Sequence, residues 1–303
     1  MLALPIRLGR TFAVLTLLLS HLTGMQPLEA ADFPALPAVE MVRRCSQHEL
    51  DAQKSASRYM FMLRRQTIHI TETKLVVETN EALAGRVLAY NDTELSGESL
   101  KSEDARVERF VTDPEALRKK QREERDNRER FYRILRAMPD AFLWEYDGFE
   151  SGVSGLGRPG QQLVRLNFRP NPKYDPPTRV EQLLAGMAGA VLIDPRQERL
   201  ARIDSTLLRD VSFGWGILGH LDKGGGILIE QGDVGDAHWG LSHLTMRFTG
   251  KVLFFKNINV NTQEVAWDFR RVADNLSFKQ GLDLLKKEST AISKNRNWKH
   301  RQE

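Results

Sequence analysis

The sequence predicts an α+β fold, mainly antiparallel β, on three observations. Between residues 189 and 271, short apolar or alternating runs follow one another at nearly regular spacing, divided by turn residues. A second, earlier group of such runs occupies residues 59–90. Between the two groups lies one long stretch, 113–138, with helical rather than strand periodicity and a dense load of charge.

Residues 1–30 read as a secretory leader. Arg7 and Arg10 form a basic start, residues 12–19 an apolar core, and Leu28-Glu29-Ala30 a small-residue cleavage site. The apolar run falls well short of the ~20 residues that span a bilayer. A cleaved lipoprotein signal places a cysteine directly after the cut, whereas the single cysteine is Cys45. The expectation is therefore an exported, periplasmic chain without a lipid anchor. One cysteine also excludes an internal disulfide, so Cys45 either pairs between chains or, the favoured reading, is a buried thiol on a helix.

The remaining elements follow in order. After a two-proline linker, residues 38–55 have helical spacing, with Val39, Val42 and Cys45 on one face beside His48 or Glu49. Residues 59–71, 74–79 and 85–90 read as three strands; in the first, Ile68 and Ile70 continue the alternation. Residues 94–99 read as a loop. Asp113 caps a helix with Pro114 at its first position. That helix is polar all round to Arg130 and then apolar at Phe131, Ile134, Leu135 and Met138, so its end docks before Pro139 stops it. Strands follow at 141–146 and 161–169, separated by the glycine-rich 148–160. The proline-rich 169–177 is an extended loop, and a short helix over 178–186 is capped by Thr178 with Glu181 as its box partner. The closing meander is read as strands 190–193, 200–206, 210–215, 226–230, 241–248, 251–259 and 263–271, with turns at Gln231-Gly232-Asp233 and Thr249-Gly250. A helix over 274–287 ends the domain 31–287, and 288–303 reads as a basic, disordered tail.

Charge excludes some classes of partner. Lys and Arg number 44 against 40 Asp and Glu, a formal net charge of +4. Part of that excess sits in the leader and in the tail, where Lys294, Arg296, Lys299 and Arg301 surround Trp298. This excludes a general nucleic-acid surface and leaves at most peripheral contact of the tail with an anionic membrane. The charges along 116–130 nearly cancel, which fits a solvated helix better than a partner-binding arm.

The order of leader, early helix, strand group, helical insertion and second strand group resembles LolA/LolB-like exported envelope proteins of the outer-membrane lipoprotein-sorting type. The likeness is carried by Ala190-Val-Leu-Ile-Asp194-Pro195, Leu200-Ala-Arg-Ile-Asp204, Phe213-Gly-Trp-Gly-Ile-Leu-Gly219, Leu221-Asp-Lys-Gly-Gly225, Leu253-Phe-Phe-Lys256 and Phe269-Arg-Arg-Val272. The resemblance implies an unclosed (half) β-barrel wrapped over helices, with an apolar cavity that holds lipid acyl chains. The charged helix 116–130 is longer than in the lipoprotein carriers, so no residue is carried over as a lipoprotein contact.

No catalytic constellation stands out. His238 and His243, with Asp233, Asp236, His220 and Asp222, have the donor types of a metal site, but their spacing reads as polar turn and strand residues, so no metal and no cofactor is expected. Gly224-Gly225-Gly226 precedes a strand, which favours a hairpin turn over a phosphate cradle. Ser154 and Ser205 lack a nucleophile elbow, and the acid pairs Asp147/Glu150 and Asp222/Glu230 are what so charged a chain contains by chance. The aromatic set is the remaining candidate. Tyr59, Phe61, Trp144, Phe168, Phe213, Trp215 and Phe248, with Phe254, fill a barrel interior or line an acyl-chain cavity. The functional expectation is a non-enzymatic envelope protein that binds a lipid acyl chain or a lipidated protein. The alternatives are an envelope structural or interaction protein with a filled core and, more distantly, a metal-dependent hydrolase.

Overall fold

The structure, a computed structural model, describes residues 36–52, 57–213, 219–236, 238–252 and 256–295. The leader, Trp215, Phe254 and the end of the basic tail lie outside the described residues. In chain order the elements are α1 (Ala38–Ala52), β1 (Arg58–Gln66), β2 (Thr71–Glu78), β3 (Leu83–Tyr90), β4 (Thr93–Glu94), α2 (Gly97–Thr112) and α3 (Pro114–Ala141). They continue with β5 (Phe142–Ser151), β6 (Gln162–Pro170), α4 (Arg179–Leu184), β7 (Met187–Asp194), β8 (Arg199–Leu207), β9 (Val211–Phe213) and β10 (Gly219–Leu221). The last are β11 (Gly226–Gly235), β12 (His238–Val252), β13 (Lys256–Val272) and α5 (Phe278–Asn295).

One unclosed sheet contains all the strands, in the order β4-β3-β2-β1-β13-β12-β11-β8-β7-β6-β5, with β9 and β10 hung on β12. Neighbouring strands run antiparallel, as short connections between sequential strands demand. Pairing of β1 with β13 joins the N-terminal strand group to the C-terminal one, so the expected mainly antiparallel α+β half-barrel is what forms.

Register assigns the side chains to two faces. Directly opposed residues share a face, so Met246 with Thr262, Phe248 with Val260, and Leu63 with Ala266 all point the same way. This inner face carries the largest core. Val164, Leu166 and Phe168 of β6, Val191 and Ile193 of β7 and Leu207 of β8 pack against Val42 and Cys45 of α1, Leu135 and Met138 of α3, and Leu184 of α4. The opposite parity in β1 and β2 (Met60, Met62, Leu75, Val77) faces outward and is covered by Phe278, Leu282 and Leu285 of α5. The helices thus sit on both faces, with α5 on the outside.

The outer face of the other half is charged. Asp147 and Glu150 accept from Arg165 (2.8 and 2.7 Å), and Glu150 and Glu230 accept from Arg202 (3.2 and 2.8 Å), a ladder of side chains from β5, β6, β8 and β11 that passes over β7. Beside it, the loop at 152–160 lays Leu156 over Leu163, Leu192, Ala201 and Trp239.

Several boundaries differ from the sequence reading. The first strand ends at Gln66, because the Thr67 hydroxyl accepts from the His69 and Ile70 amides and closes a turn, leaving Ile68 and Ile70 exposed. The helical insertion is two helices, and α2 begins inside the 94–99 segment that the sequence predicts as a loop. Pro139 does not stop α3. It lies buried in the last turn, where only one helical bond is lost, and Asn171 satisfies the terminal carbonyls of Asp140 and Ala141. Neither Thr249-Gly250 nor Gln231-Gly232-Asp233 is a turn. A side chain at Gly250 would collide with the His220 carbonyl, and one at Gly232 with the backbone of Gly155 and Gly157, so these glycines admit a neighbouring chain within long strands. Of the expected strands 251–259 and 263–271, residues 251–252 end β12, while 256–259 and 263–271 belong to the single β13, with a bulge where Asp268 takes φ 57°. β10 and β11 pair with other strands and not with each other, so Gly224 turns the chain without making a hairpin. Finally, α5 continues to Asn295, past the expected end at Lys287.

Candidate functional site: an uncovered strip of the inner face

The helices pack mainly over β2, β3, β5, β8 and β9. On the inner face the cover is α1, α3 and α4 over β5, β8 and β9, since α5 lies on the outer face of β2 and β3, so the central strands β1, β13, β12 and β11 present their inner face beside that covered end. Half-buried apolar side chains there are Leu63 on β1, Val260 on β13, Leu244 and Met246 on β12, and Ile229 on β11, with Thr262 and Glu264 of β13 set among them opposite Met246 and Leu244. Alternation explains their aim, because β12 carries Leu244, Met246 and Phe248 on one side and Thr245 and Arg247 on the other. Towards β1 and β2 the same face turns charged, where Arg65 meets Glu264 (3.2 Å) and Lys74 meets Glu72.

The strip has a roof. α3 opens with Asp113 accepting from the Glu115 amide (2.9 Å), as its sequence demands. Near that end Leu117 packs on the outer core, and Glu124 accepts from the Leu83 amide of β3 (3.1 Å). At the far end Phe131 lines one void together with Ile203 and Ile229, and Leu135 is fully buried. Between these anchors, Arg125, Asp126, Asn127, Arg128, Glu129 and Arg130 are all exposed. An amphipathic helix lying on a surface hides one side every turn, so this stretch stands clear of the sheet. From Glu124 to Phe131 the helix rises about 10 Å. From β3 to β11 the sheet measures about 24 Å along its surface, so α3 spans its curve as a chord.

At the Phe131 end the strip meets a buried polar hub. Glu49 of α1 is 3% exposed and accepts two bonds from Arg199 (2.8 and 3.1 Å), one from the Leu200 amide (3.0 Å) and one from Gln231 (2.9 Å). The Arg199 guanidinium also lies 5.2 Å over the Trp239 ring. A void of about 30 Å³, room for a water molecule, is lined here by Glu49, Phe131, Leu200, Ile203, Ile229 and Gln231. Beyond it, Asp194 accepts from Arg158 and from the Arg196 and Gln197 amides. Burial works to raise its carboxyl, but the Arg158 bond and those two amides outweigh burial and hold it below the usual carboxylate range. Cys45 lies in the same core, where burial above all, with Glu49, Glu198 and Asp194 nearby, pushes its thiol strongly up.

The aromatic candidates divide into separate groups. Trp144 and Phe168 touch (5.2 Å between centroids), with Phe142 against both, and Phe213 and Phe248 join the same inner core. Phe61 stacks on Phe269 (4.9 Å) beside the open strip, and the buried Tyr59 stacks on His238 (4.2 Å) and donates to the Gly235 carbonyl. Burial, with the nearby Arg199 and Arg58 cations, holds the His238 imidazole below its usual range. His243 bonds Thr245 and His220 bonds Asp222, so these histidines have partners of their own. Sequence reasoning passed over Leu244, Met246 and Ile229 because their strand pattern is that of any half-buried sheet. Only the gap in helix cover distinguishes them.

Among the described residues no helix is long and apolar enough to cross a membrane. No protein-family model matches the chain, nor does any curated protein. Among solved structures, the chain is similar to a putative outer membrane lipoprotein-sorting protein domain from Vibrio parahaemolyticus, at 9% identity over 82% of this chain and 99% of that one, with a TM-score of 0.29. It is also similar to a DUF1329 family protein from Desulfovibrio piger (9% identity, 78% and 95% covered, TM-score 0.24) and to MucB in complex with MucA(peri) (10% identity, 81% and 97% covered, TM-score 0.22).

Proposed function

We propose that the chain is an exported envelope protein that holds a lipid acyl chain, free or on a lipidated partner, along the inner strip without chemical transformation. The observation that carries this reading is the row of half-buried Leu63, Ile229, Leu244 and Met246 on the inner face, across which α3 passes with residues 125–130 exposed. Apolar surface sheltered in a concavity but not filled by the protein is what an alkyl chain covers. The resemblance to lipoprotein-sorting proteins, drawn from sequence, points the same way.

Within this reading Phe61 borders the strip. Trp144, Phe168, Phe213 and Phe248 back its far end, with Trp215 following Phe213 in the chain. The charged pairs Arg65–Glu264 and Lys74–Glu72 leave a polar end for a head group. The driving force is transfer of methylenes from water, about 0.8 kcal/mol each. Affinity then rises with chain length and discriminates weakly among head groups. Native mass spectrometry of the folded chain mixed with lysophosphatidylglycerol tests the proposal. One retained lipid per chain is expected, and a bare chain across the titration would contradict it. The packed aromatic core favours a second reading, an envelope interaction protein without a lipid, which such a bare chain would leave standing.

A further inference from the structure

One end of the sheet is finished in an unusual way. β4 pairs with β3 only at Ala89 and Tyr90, so the outward backbone groups of β3 from Leu83 to Val87 have no partner strand. Side chains take its place. The Val87 amide donates to Glu103 Oε1 (2.7 Å), the Gly85 carbonyl accepts from Arg106 (2.8 Å), and the Leu83 amide donates to Glu124 (3.1 Å). Glu103 and Arg106 also bind each other (2.6 and 2.7 Å), so one ion pair on α2 presents an acceptor and a donor at the spacing of an added strand.

The element that supplies this cover is loosely held. The one side chain that α2 buries is the charged Glu103. Val107 and Phe110 are partly buried, and Leu100 and Val111 remain 39% and 41% exposed. An element with so little apolar burial opens at a fraction of the free energy of global unfolding. When it opens, Glu103 and Arg106 regain water, while β3 is left with an unpaired edge, the usual template for strand addition. It also strands Arg86, 7% exposed on the outer face, whose partner is Asp104 of α2, and uncovers the Phe278 ring against which Phe110 packs (5.8 Å between centroids).

We infer that α2 is a displaceable cover of the β3 edge, and that the partner which replaces it is an extended peptide segment with an acidic residue opposite Arg86. The acid takes over from Asp104, and an apolar residue two positions away fills the place of Phe110 on Phe278. Backbone groups of the segment meet Gly85 and Val87, so register is set by the β3 ladder and selectivity by the Arg86 pair. This edge is separate from the acyl-chain strip, and neither requires the other.

The test uses a fluorescein-labelled peptide, Lys-Thr-Val-Thr-Glu-Thr-Val-Thr-Lys, and a control with Lys in place of the central Glu, titrated by anisotropy. Glu103→Ala combined with Arg106→Ala loosens the cover. This variant is expected to bind the Glu peptide at least ~10-fold more tightly than the parent chain does, and more tightly than it binds the control. Adding Arg86→Glu is expected to reverse that preference. A folded variant that binds neither peptide, or both alike, overturns the inference. Hydrogen exchange on the unmodified chain decides independently of any variant. The Val87 amide should exchange together with α2 and ahead of β2, and protection equal to that of β2 overturns the inference as well.

Discussion

Glu49 shows what a single buried side chain does here. It collects four hydrogen bonds beneath α1 and ties that helix to β8 and β11. Removing one partner of a buried ion pair leaves the other unpaired, which costs about 3–5 kcal/mol, whereas replacing both by apolar groups costs far less. Glu49→Ala is therefore expected to lower unfolding stability in urea by about 3 kcal/mol or more, and Glu49→Leu with Arg199→Met by much less. Equal losses would show that the hub does not act as a pair. Asp194 adds a pH dependence. Its folded carboxyl titrates below the unfolded value, so its stability is fully present above pH ~4 and is lost as pH falls through the folded value. Asp194→Asn is expected to flatten the acid side of the stability profile, and an unchanged profile would contradict this. The helical spacing of α1 places Glu49 near the buried face, but its partner Arg199 is 150 residues away, and nothing local joins the two.

At the level of elements, the strands and the capped helices were readable because their signals are local. Asp113-Pro114 opens α3, and Thr178 caps α4 by accepting from the Glu181 amide. What was misread depends on neighbours from elsewhere in the chain. Gly232 and Gly250 look like turns in sequence, yet each admits another segment of backbone. α2 escaped notice because the residue it buries is an acid serving a strand edge. Gly189 belongs to the same class, since a methyl group there would collide with the Asp204 carbonyl across the β7–β8 pair. Gly189→Ala is expected to destabilise the sheet by about 2–3 kcal/mol, read as a lowered urea midpoint. A neutral result would mean that the β7–β8 pair separates more easily than its register implies.

For the whole molecule, the arrangement follows from a sheet that joins its first and last strands through β1 and β13 yet leaves its outer edges unjoined, with α3 spanning the curve. Sequence reading reached the half-barrel through a family resemblance, and it placed the site on aromatic residues because these carry the most apolar area. Several of them are core, while the half-buried Leu63, Ile229, Leu244 and Met246 are aliphatic, which composition alone does not distinguish. The central claim is that this strip takes an alkyl chain, and titration with dansyl-undecanoic acid tests it most directly. A saturable rise in dansyl fluorescence at one site per chain is expected, weakened at least ~10-fold by Leu244→Lys with Met246→Lys at unchanged secondary structure. No saturable signal, or one that the two lysines leave untouched, would contradict the account.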